Sequence, residues 1–457
     1  MDVAGRRARS SAPARHPAET GLSHRRRPDA DSTANSQLWT WQGQQLTTRQ
    51  ERQERGVPIS DGKPSVNSAN SHIPQEFRLV VTGGGTGGHT YPALTAVRTL
   101  QARLAASGGT LEVLWIGTAD GLEARVAPAE GIAFTSVATG KIRRSRNLVR
   151  MLSRANVRDM ARVPLGVVQA RKAIADFRPD VVLATGGYVA VPAGIAARLC
   201  RRPLVLHEQT VRLGLANRRL AATATRIAVS SESTLALLPA AVRDVAVVTG
   251  NPVRPEVLAG HADKGIEALG VHAFDRRLPT VYVTGGAQGS QQINGLIGDT
   301  LPWLLGRANV VHQCGPAHAD RMRQHAACLP PDLANRYYVT GFLGPELPDV
   351  LALADVVISR SGAGTLAELT ALGKAAVLIP LATSAGDEQA HNAGHLQQAG
   401  AAVALLDKVT SHHLRDAVGP LLTDADLRRG IAERARAHGR PDAADRLVDV
   451  ILAAASR

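Results

Sequence analysis

The sequence is poor in cysteine, in aromatic residues and in long apolar runs, and each shortage excludes a class of protein. Three cysteines occur in 457 residues, far apart and without metal-ligand spacing, which favours reduced, buried thiols over a disulfide framework. Aromatic residues make up 3%, so Leu, Val, Ile and Ala must fill the core. No apolar run reaches the length of about 18 residues that a membrane span needs. The N-terminus lacks the apolar core of a signal peptide, so we do not expect secretion.

Positive charge is in excess. The net charge of +14 predicts an anionic partner: a nucleic acid, a phosphorylated substrate or a membrane surface. Ten basic residues lie between Lys141 and Lys172 against one acid, Asp159, with apolar residues between them. This pattern favours an anionic membrane surface, with a solvated helix face as the alternative. Nucleic-acid binding is the second interpretation of the segment, but we do not expect it, because the segment has no aromatic residue for base stacking. The predicted membrane-contacting residues are Arg143, Arg144, Arg146, Arg150 and Arg154.

The chain divides into a polar tail and a patterned body. Residues 1–76 are rich in Ser, Ala, Arg, Gln and Pro without a hydrophobic period, which predicts disorder; a mis-assigned start codon is an alternative explanation. From Phe77, strand-like and helix-like segments alternate in two series, the pattern of an α/β protein with parallel sheets. We expect one domain over 77–250, a second over 251–440 after a proline-containing junction, and a C-terminal helix over 441–457 that packs back on the first domain.

A glycine-rich turn occurs twice. The first copy runs from Gly83 to His89 and the second from Gly285 to Ser290, and each follows a β-branched run and leads into a helix-like stretch. Glycines bring backbone amides close to a phosphate at a helix N-terminus. Two such turns predict two Rossmann-like domains that face each other across a cleft. The first copy also fits the dinucleotide fingerprint, with Asp120 as the ribose acid, but a dehydrogenase accounts poorly for the second copy.

Further polar loops follow other predicted strands. His89 closes the first glycine turn, where it could bind an anion, act as a general base or cap the helix. Thr185–Tyr188 and His207–Gln209 follow two strands of the first half, and Ser359–Glu368 follows a strand of the second. Since ligands bind at the carboxyl ends of parallel strands, we expect these loops to line the functional site.

These residues together resemble the MurG family of bacterial N-acetylglucosaminyltransferases of peptidoglycan synthesis. The resemblance covers about residues 79–455 and keeps the family's order of motifs. It implies a GT-B fold and inverting transfer of GlcNAc from UDP-GlcNAc to the MurNAc 4-hydroxyl of undecaprenyl-diphosphate-linked muramyl-pentapeptide. It also implies a peripheral protein at the cytoplasmic face of the cell membrane. The motifs that carry it are Gly84–His89, Gly117–Asp120, Gly186–Tyr188, His207–Gln209, Gly250–Arg254, Gly285–Gly289, Arg360–Ala363, Glu368 and Asp387–Gln389 with Asn392.

The resemblance assigns roles to individual positions. It makes His89 the best candidate to deprotonate the acceptor hydroxyl or to hold the acceptor phosphate. The residues that it places at the acceptor are Gly84, Gly85, Gly186, Gly187, Tyr188, His207 and Glu208. Those that it places at the donor are Thr86, Gly87, Gly88, Thr210, Arg254, Ala287, Gln288, Leu343, Ala363, Gly364, Thr365, Leu366, Ala367, Glu368 and Gln389.

Two positions depart from the family pattern, and they keep other functions open. Thr210 stands where the family usually has Asn, and Ala287 where it often has Ser. A related transferase with a natural-product acceptor, or a non-catalytic nucleotide-sugar-binding relative, therefore stays an alternative. We expect no cofactor and no required metal, because Asp-x-Asp occurs only at Asp29–Asp31 and Asp424–Asp426, neither of which follows a strand. Amides at a helix N-terminus can stabilise the leaving UDP without a metal.

Overall fold

The computed structural model describes residues 75–140, 154–384 and 387–456. Nearly all of the tail for which disorder is predicted lies outside these ranges. The predicted membrane residues Arg143, Arg144, Arg146 and Arg150 also lie outside them, and Arg154 begins a helix without a described side chain.

The first half of the body is built on a sheet of seven strands, all paired in parallel. Their spatial order is β3-β2-β1-β4-β5-β6-β7, the order of a doubly wound nucleotide-binding fold extended by one strand. The strands are β1 (Glu76–Gly83), β2 (Thr110–Gly117), β3 (Ala133–Ser136), β4 (Val181–Gly186), β5 (Leu204–Glu208), β6 (Arg226–Val229) and β7 (Ala246–Val248).

The second half repeats the design with six parallel strands. Their order is β10-β9-β8-β11-β12-β13, so the strand order changes direction between β8 and β11 as it does between β1 and β4, while all strands stay parallel. The strands are β8 (Thr280–Thr284), β9 (Asn309–Gln313), β10 (Tyr337–Thr340), β11 (Val356–Ser359), β12 (Ala375–Leu378) and β13 (Val403–Ala404). Together the two sheets confirm the predicted α/β class with two Rossmann-like units.

Helices connect the strands and cover both faces of each sheet. Those of the first half are α1 (Gly87–Ala106), α2 (Glu123–Ala129), α3 (Arg154–Phe177), α4 (Ala190–Leu199), α5 (Leu215–Leu220) and α6 (Glu232–Leu237). The helices that follow are α7 (Pro255–Leu258), α8 (Ala262–Leu269), α9 (Gln291–Leu305), α10 (Ala319–Ala327), α11 (Pro331–Ala334), α12 (Leu347–Leu353), α13 (Ala363–Leu372), α14 (Glu388–Gln398), α15 (Ser411–Thr423), α16 (Ala425–His438) and α17 (Ala443–Ala455). Short 3-10 turns lie at Ala221–Thr223, Ala240–Val245 and Pro316–His318.

Burial explains why the central strands read as uninterrupted apolar runs. Every residue of β4, β5, β8 and β9 is buried, because helices lie on both faces. The edge strand β3 was not predicted: its sequence Ala-Phe-Thr-Ser is half-exposed and lacks such a run.

In each sheet, the early strands are added toward one edge and the later strands toward the other edge. We call the point where the direction changes the first switch point in the first sheet and the second switch point in the second sheet. The first lies between β1 and β4, and the second between β8 and β11. Ligands of doubly wound sheets bind at such points, beyond the carboxyl ends of the strands. Both glycine turns therefore lie at switch points: Gly83–His89 follows β1, and Gly285–Ser290 follows β8.

Helix α17 ends the described chain against the first half. Its buried side chains, among them Leu447 and Ile451, share one apolar cluster with Leu100 of α1 and Val81 of β1. Side-chain contacts also join the halves, among them Arg440 with Glu232, Arg98 with Glu256, and the Asn392 amide oxygen with the backbone N–H of Val211 at 3.3 Å.

Candidate functional site

A buried carboxylate supports the first glycine turn. Glu123 of α2 is fully buried and accepts hydrogen bonds from the backbone N–H of Gly85 and from both the N–H and the hydroxyl of Thr118, each at 2.9 Å. A side chain on Gly84 would collide with this carboxylate, so glycine is required there. The N-cap residue of α1, Thr86, makes no side-chain cap, which leaves the amides of Gly87 and Gly88 available to an anion.

His89 lies in the first turn of α1 and contacts the loops that follow β4 and β5. Its Nδ1 lies 3.1 Å from Oε1 of Gln209, and its ring covers Gly186, where a Cβ would come within 2.9 Å of the ring. Gln209 in turn lies 3.0 Å from Nδ1 of His207. His89 is partly exposed, so it can reach a ligand.

The glycine pair after β4 closes the first switch point. Gly186 and Gly187 have positive φ values of 109° and 82°, and a Cβ on Gly187 would lie 2.5 Å from the carbonyl oxygen of Gly84. The two loops therefore touch backbone to backbone. Tyr188 follows with 44% of its surface exposed, in a position to meet a ligand.

The side chains of His207 and Glu208 are buried and form hydrogen bonds within the protein. His207 Nε2 lies 3.1 Å from the Gly250 carbonyl, and burial lowers the pKa of this histidine to about 4, so it is neutral. The Glu208 carboxylate accepts from the N–H of Thr210, the N–H of Gly214 and the Asn217 amide. The Thr210 hydroxyl lies 2.8 Å from Glu208 as well. These contacts give the three side chains a supporting role, and their direct contact with a substrate stays a prediction.

The second switch point is lined differently. The amide of Gln313 donates to the Gly286 carbonyl, and Ser290 caps α9 by accepting from the N–H of Ile293. Arg360 follows β11, and its Nη2 lies 3.1 Å from the place where a Gly286 side chain would begin. Burial lowers the pKa of Arg360, and its guanidinium has no anionic partner within the described ranges. This guanidinium lies beside the glycine turn, and the binding of an anion here is a prediction.

Helix α13 begins beside Arg360 and carries the next acidic group. Its N-cap, Gly362, has no side-chain cap, so the amides of Ala363, Gly364 and Thr365, before the first helical hydrogen bond from Leu366 N–H, receive no cap from that residue. Glu368, in the second turn, accepts two hydrogen bonds from Arg254 through Oε1, at 2.8 and 3.1 Å. Burial raises the pKa of Glu368 more than Arg254 lowers it. Glu368 Oε2 has no hydrogen-bond partner among the described side chains and remains an acceptor.

The remaining predicted donor residues surround this loop. Gln389 accepts from the N–H of Leu381 through Oε1, which directs its amide nitrogen elsewhere. Leu343 is buried and its N–H donates to Gln313, while Ala287 and Gln288 are exposed at the tip of the second turn. Contact of these four residues with a nucleotide sugar stays a prediction.

A cavity of about 360 Å³ lies between the two halves. Gln209 lines it from the first half, Asn251 from the junction, and Leu366 and Asn392 from the second half. The Asn251 amide is buried without a hydrogen-bond partner in the described chain. The sequence placed Asn251 in the junction and in a motif of the family resemblance, but gave the residue itself no role.

No group of three or more His, Cys, Asp or Glu side chains in the described ranges could hold a metal ion. No helix in the same ranges is long and apolar enough to cross a membrane.

Three residues that matter here were missed or undervalued in the sequence. Glu123 was given no role, and Arg360 and Gln209 were noted only as parts of motifs. Arg360 could have been found from its place directly after a buried strand in a glycine-rich loop. Glu123 gave no such signal, because it meets Gly85 across 38 residues of sequence.

Two family models match the two halves. The glycosyltransferase family 28 N-terminal domain matches residues 79–229, and the corresponding C-terminal domain matches residues 280–447. Their boundaries enclose both switch points. Because glycosyltransferase models match both halves, the dehydrogenase hypothesis is excluded. Asp120, which that hypothesis needed to bind the cofactor ribose, is an exposed residue.

Curated relatives match along almost their whole length. A protein of Halothermothrix orenii named UDP-N-acetylglucosamine--N-acetylmuramyl-(pentapeptide) pyrophosphoryl-undecaprenol N-acetylglucosamine transferase is 34% identical over 380 residues, 82% of this chain and 98% of the relative. A Pediococcus pentosaceus protein of the same name is 34% identical over 379 residues, 82% of this chain and 99% of the relative.

Solved structures share the architecture. The crystal structure of Acinetobacter baumannii MurG is 27% identical, with a TM-score of 0.63 over 82% of this chain and 99% of that one. The glycosyltransferase of kitacinnamycin is 20% identical, with a TM-score of 0.57 over 83% of this chain and 100% of that one, and it supports the fold alone.

Proposed function

This chain belongs to the MurG family of glycosyltransferase family 28, and from that membership we propose that it transfers GlcNAc from UDP-GlcNAc to undecaprenyl-diphosphate-linked MurNAc-pentapeptide. The product is the disaccharide-linked lipid of peptidoglycan synthesis. The observation that carries the proposal is the match to relatives of this activity over 98% of their length, across both halves of the protein. The structure supports it with two switch points of different chemistry.

The donor binds in the second half. Arg360 and the amides at the start of α13 receive the diphosphate, because an unpaired, partly buried guanidinium gains most from an anion. Glu368 accepts from the ribose hydroxyls through its free oxygen, and Gln389 donates its amide to the sugar. Arg254, which now holds Glu368, lies where it can also meet a phosphate.

The acceptor binds in the first half, beside Gly186, Gly187 and Tyr188. His89 takes the proton of the MurNAc 4-hydroxyl while that oxygen bonds to the anomeric carbon. The bond from this carbon to the diphosphate breaks on the opposite face, which inverts the anomeric centre, and UDP leaves with the electron pair. Arg360 and the second glycine turn stabilise the charge that develops on the leaving phosphate.

A labelled transfer assay tests the proposal. The full chain is mixed with radiolabelled UDP-GlcNAc and a lipid-linked MurNAc-pentapeptide acceptor, with and without chelator. We expect label in the lipid product in both conditions. Transfer to a soluble aglycone but not to the lipid acceptor would instead identify a transferase with a natural-product acceptor. UDP-GlcNAc binding without any transfer would identify a non-catalytic relative.

A membrane surface is supported by an apolar patch that the sequence analysis did not include. Leu165 and Val168 of α3 and Ile195 and Leu199 of α4 are exposed on two packed helices. Exposed Arg162, Arg171, Lys172 and Arg198 flank them on the same helices. Apolar side chains among basic ones suit a bilayer with anionic lipids, so the protein is peripheral at the cytoplasmic face, where its lipid-linked acceptor lies.

Vesicle flotation tests this surface. Reversing charge at Arg162 and Arg198 should reduce binding to vesicles that contain phosphatidylglycerol, with a larger effect at low salt. Arg321→Glu in α10, exposed in the other half, is the matched control and should bind as wild type. Equal binding by all variants would remove α3 and α4 from the membrane contact.

A further inference from the structure

Gln209 follows β5 and reaches the first switch point through its contacts with Thr185 and His89, with 4% of its surface exposed. Its Nε2 lies 2.8 Å from the Thr185 carbonyl oxygen, 3.1 Å from the His207 carbonyl oxygen and 3.0 Å from His207 Nδ1. Its Oε1 lies 3.1 Å from His89 Nδ1. One amide thus contacts three groups through its nitrogen and the histidine at the cleft through its oxygen.

Only one orientation of this amide satisfies its neighbours. Carbonyl oxygens can only accept hydrogen bonds, so the group that faces Thr185 and His207 must be the donating NH₂. Rotation of the amide by 180° would place Oε1 against two carbonyl oxygens and leave buried acceptors unsatisfied, at a cost of about 1–3 kcal/mol each. The carbonyl end of Gln209 therefore faces His89.

This orientation fixes the protons of both histidines. His207 Nδ1 accepts from Gln209, so its hydrogen is on Nε2, where it donates to the Gly250 carbonyl at 3.1 Å. His89 Nδ1 faces an oxygen that can only accept, so it must carry hydrogen. His89 Nε2 then carries a lone pair, and it has no hydrogen-bond partner in the part of the chain that the structure describes.

We propose that Gln209 is a positioning residue that holds His89 in its Nδ1–H tautomer and so presents Nε2 as the proton acceptor for the sugar hydroxyl. The inference rests on the proposed function only for the identity of that hydroxyl. As the new glycosidic C–O bond forms, the hydroxyl proton moves to Nε2. The imidazolium that results keeps its Nδ1–H bond to Gln209, and its charge is stabilised by the amide oxygen.

Nitrogen NMR of the full chain, labelled with ¹⁵N-histidine and free of substrate, tests the tautomer directly. His89 is assigned by the signals that disappear in His89→Asn. We expect wild-type His89 above pH 8 to show a protonated Nδ1 and an unprotonated Nε2. In Gln209→Met, which keeps the length but loses the amide, the Nε2–H tautomer should appear. Wild-type His89 in the Nε2–H form, or an unchanged tautomer in Gln209→Met, would overturn the inference.

Kinetics provide the second readout. Gln209→Met should lower kcat about tenfold with little change in the KM for UDP-GlcNAc, less than the loss expected for removal of a general base. Gln209→Asn, whose amide is too short to keep both contacts, serves if the methionine variant does not fold. Asn309→Ala, which removes a buried amide bonded to Asp275 at the far end of β9, is the control for a purely structural loss.

The two readouts separate the inference from the function. A tautomer that shifts in Gln209→Met while kcat stays at the wild-type value would retain the positioning role and reject His89 as the base. A kcat that falls as expected while the tautomer stays fixed would reject the positioning role.

Discussion

The two switch points use the same backbone device with different surroundings. At the first, the glycine turn is bonded to the Glu123 carboxylate and lies beside a hydrogen-bonded network of His89, Gln209 and His207. At the second, the turn is supported by the neutral Gln313 amide and faces the unpaired Arg360.

This difference indicates a division of labour. A turn already bonded to a carboxylate through Gly85 has one amide fewer for a phosphate and a like charge close by. A turn beside the partly buried guanidinium of Arg360 instead favours the binding of a phosphate, because the cation attracts its negative charge. From two similar glycine turns we therefore expect proton transfer at the first switch point and binding of the UDP phosphates at the second.

The largest expected effect tests the first switch point. His89→Ala should lower kcat roughly a hundred- to ten-thousandfold, because the general base is lost, while the KM for UDP-GlcNAc stays near wild type. Steady-state transfer to the lipid-linked acceptor measures both. Wild-type turnover in this variant would remove His89 from the reaction.

Acid stability compares one buried histidine in each sheet. Burial lowers the pKa of His207 to about 4 and that of His312 to about 3. Since the unfolded chain binds these protons near pH 6.5, stability is full above that pH and decreases as the pH falls. His207 alone should account for about 3 kcal/mol between pH 6.5 and pH 4.

Urea unfolding across this pH range measures the effect. His207→Gln and His312→Gln should each reduce the slope of stability against pH by about one proton. The exposed His272→Gln is the matched control and should keep the wild-type slope. Slopes that do not differ between these variants would contradict a neutral, buried histidine in either sheet.

The supports of the two turns should differ in strength. Glu123→Ala leaves three donors without their acceptor and should lower the free energy of unfolding by about 2–4 kcal/mol. Glu123→Gln keeps one carbonyl oxygen and should lose less. Gln313→Ala, at the second turn, should cost about 1–3 kcal/mol. Thermal denaturation measures these losses. If Glu123→Ala has the same Tm as the wild-type protein, the carboxylate does not support the turn.

The smallest expected effect tests the second switch point. Arg360→Ala should raise the KM for UDP-GlcNAc and the Kd for UDP about tenfold, equivalent to 1.4 kcal/mol, because one charged hydrogen bond is lost. The KM for the lipid acceptor should stay unchanged. If only the KM for the lipid acceptor rises, the second switch point binds the acceptor and the assignment of the two switch points is reversed.

Much of this fold could be predicted from the sequence because buried parallel strands are continuous apolar runs. The observed bounds of β6, β8, β10 and β11 coincide with the apolar runs Arg226–Val229, Thr280–Thr284, Tyr337–Thr340 and Val356–Ser359. The glycine turns were visible for the same reason, since each follows such a run. The half-exposed β3 carried no comparable pattern.

The side-chain partners of the site could not be predicted in this way. Glu123 meets Gly85, and Gln209 meets His89, across 38 and 120 residues of sequence, and no local period records such a contact. The occupied state of Glu208 was equally hidden, because its partners Thr210, Gly214 and Asn217 are ordinary loop residues until the chain folds. Roles within a motif depend on these long-range contacts.

Hydrogen exchange on addition of UDP tests the division of labour most directly. Amides of Gly285–Ser290 and of the first turn of α13 should exchange more slowly with UDP bound, while those of Gly83–His89 should exchange as in the free protein. Protection of the first glycine turn without protection of the second would contradict the account.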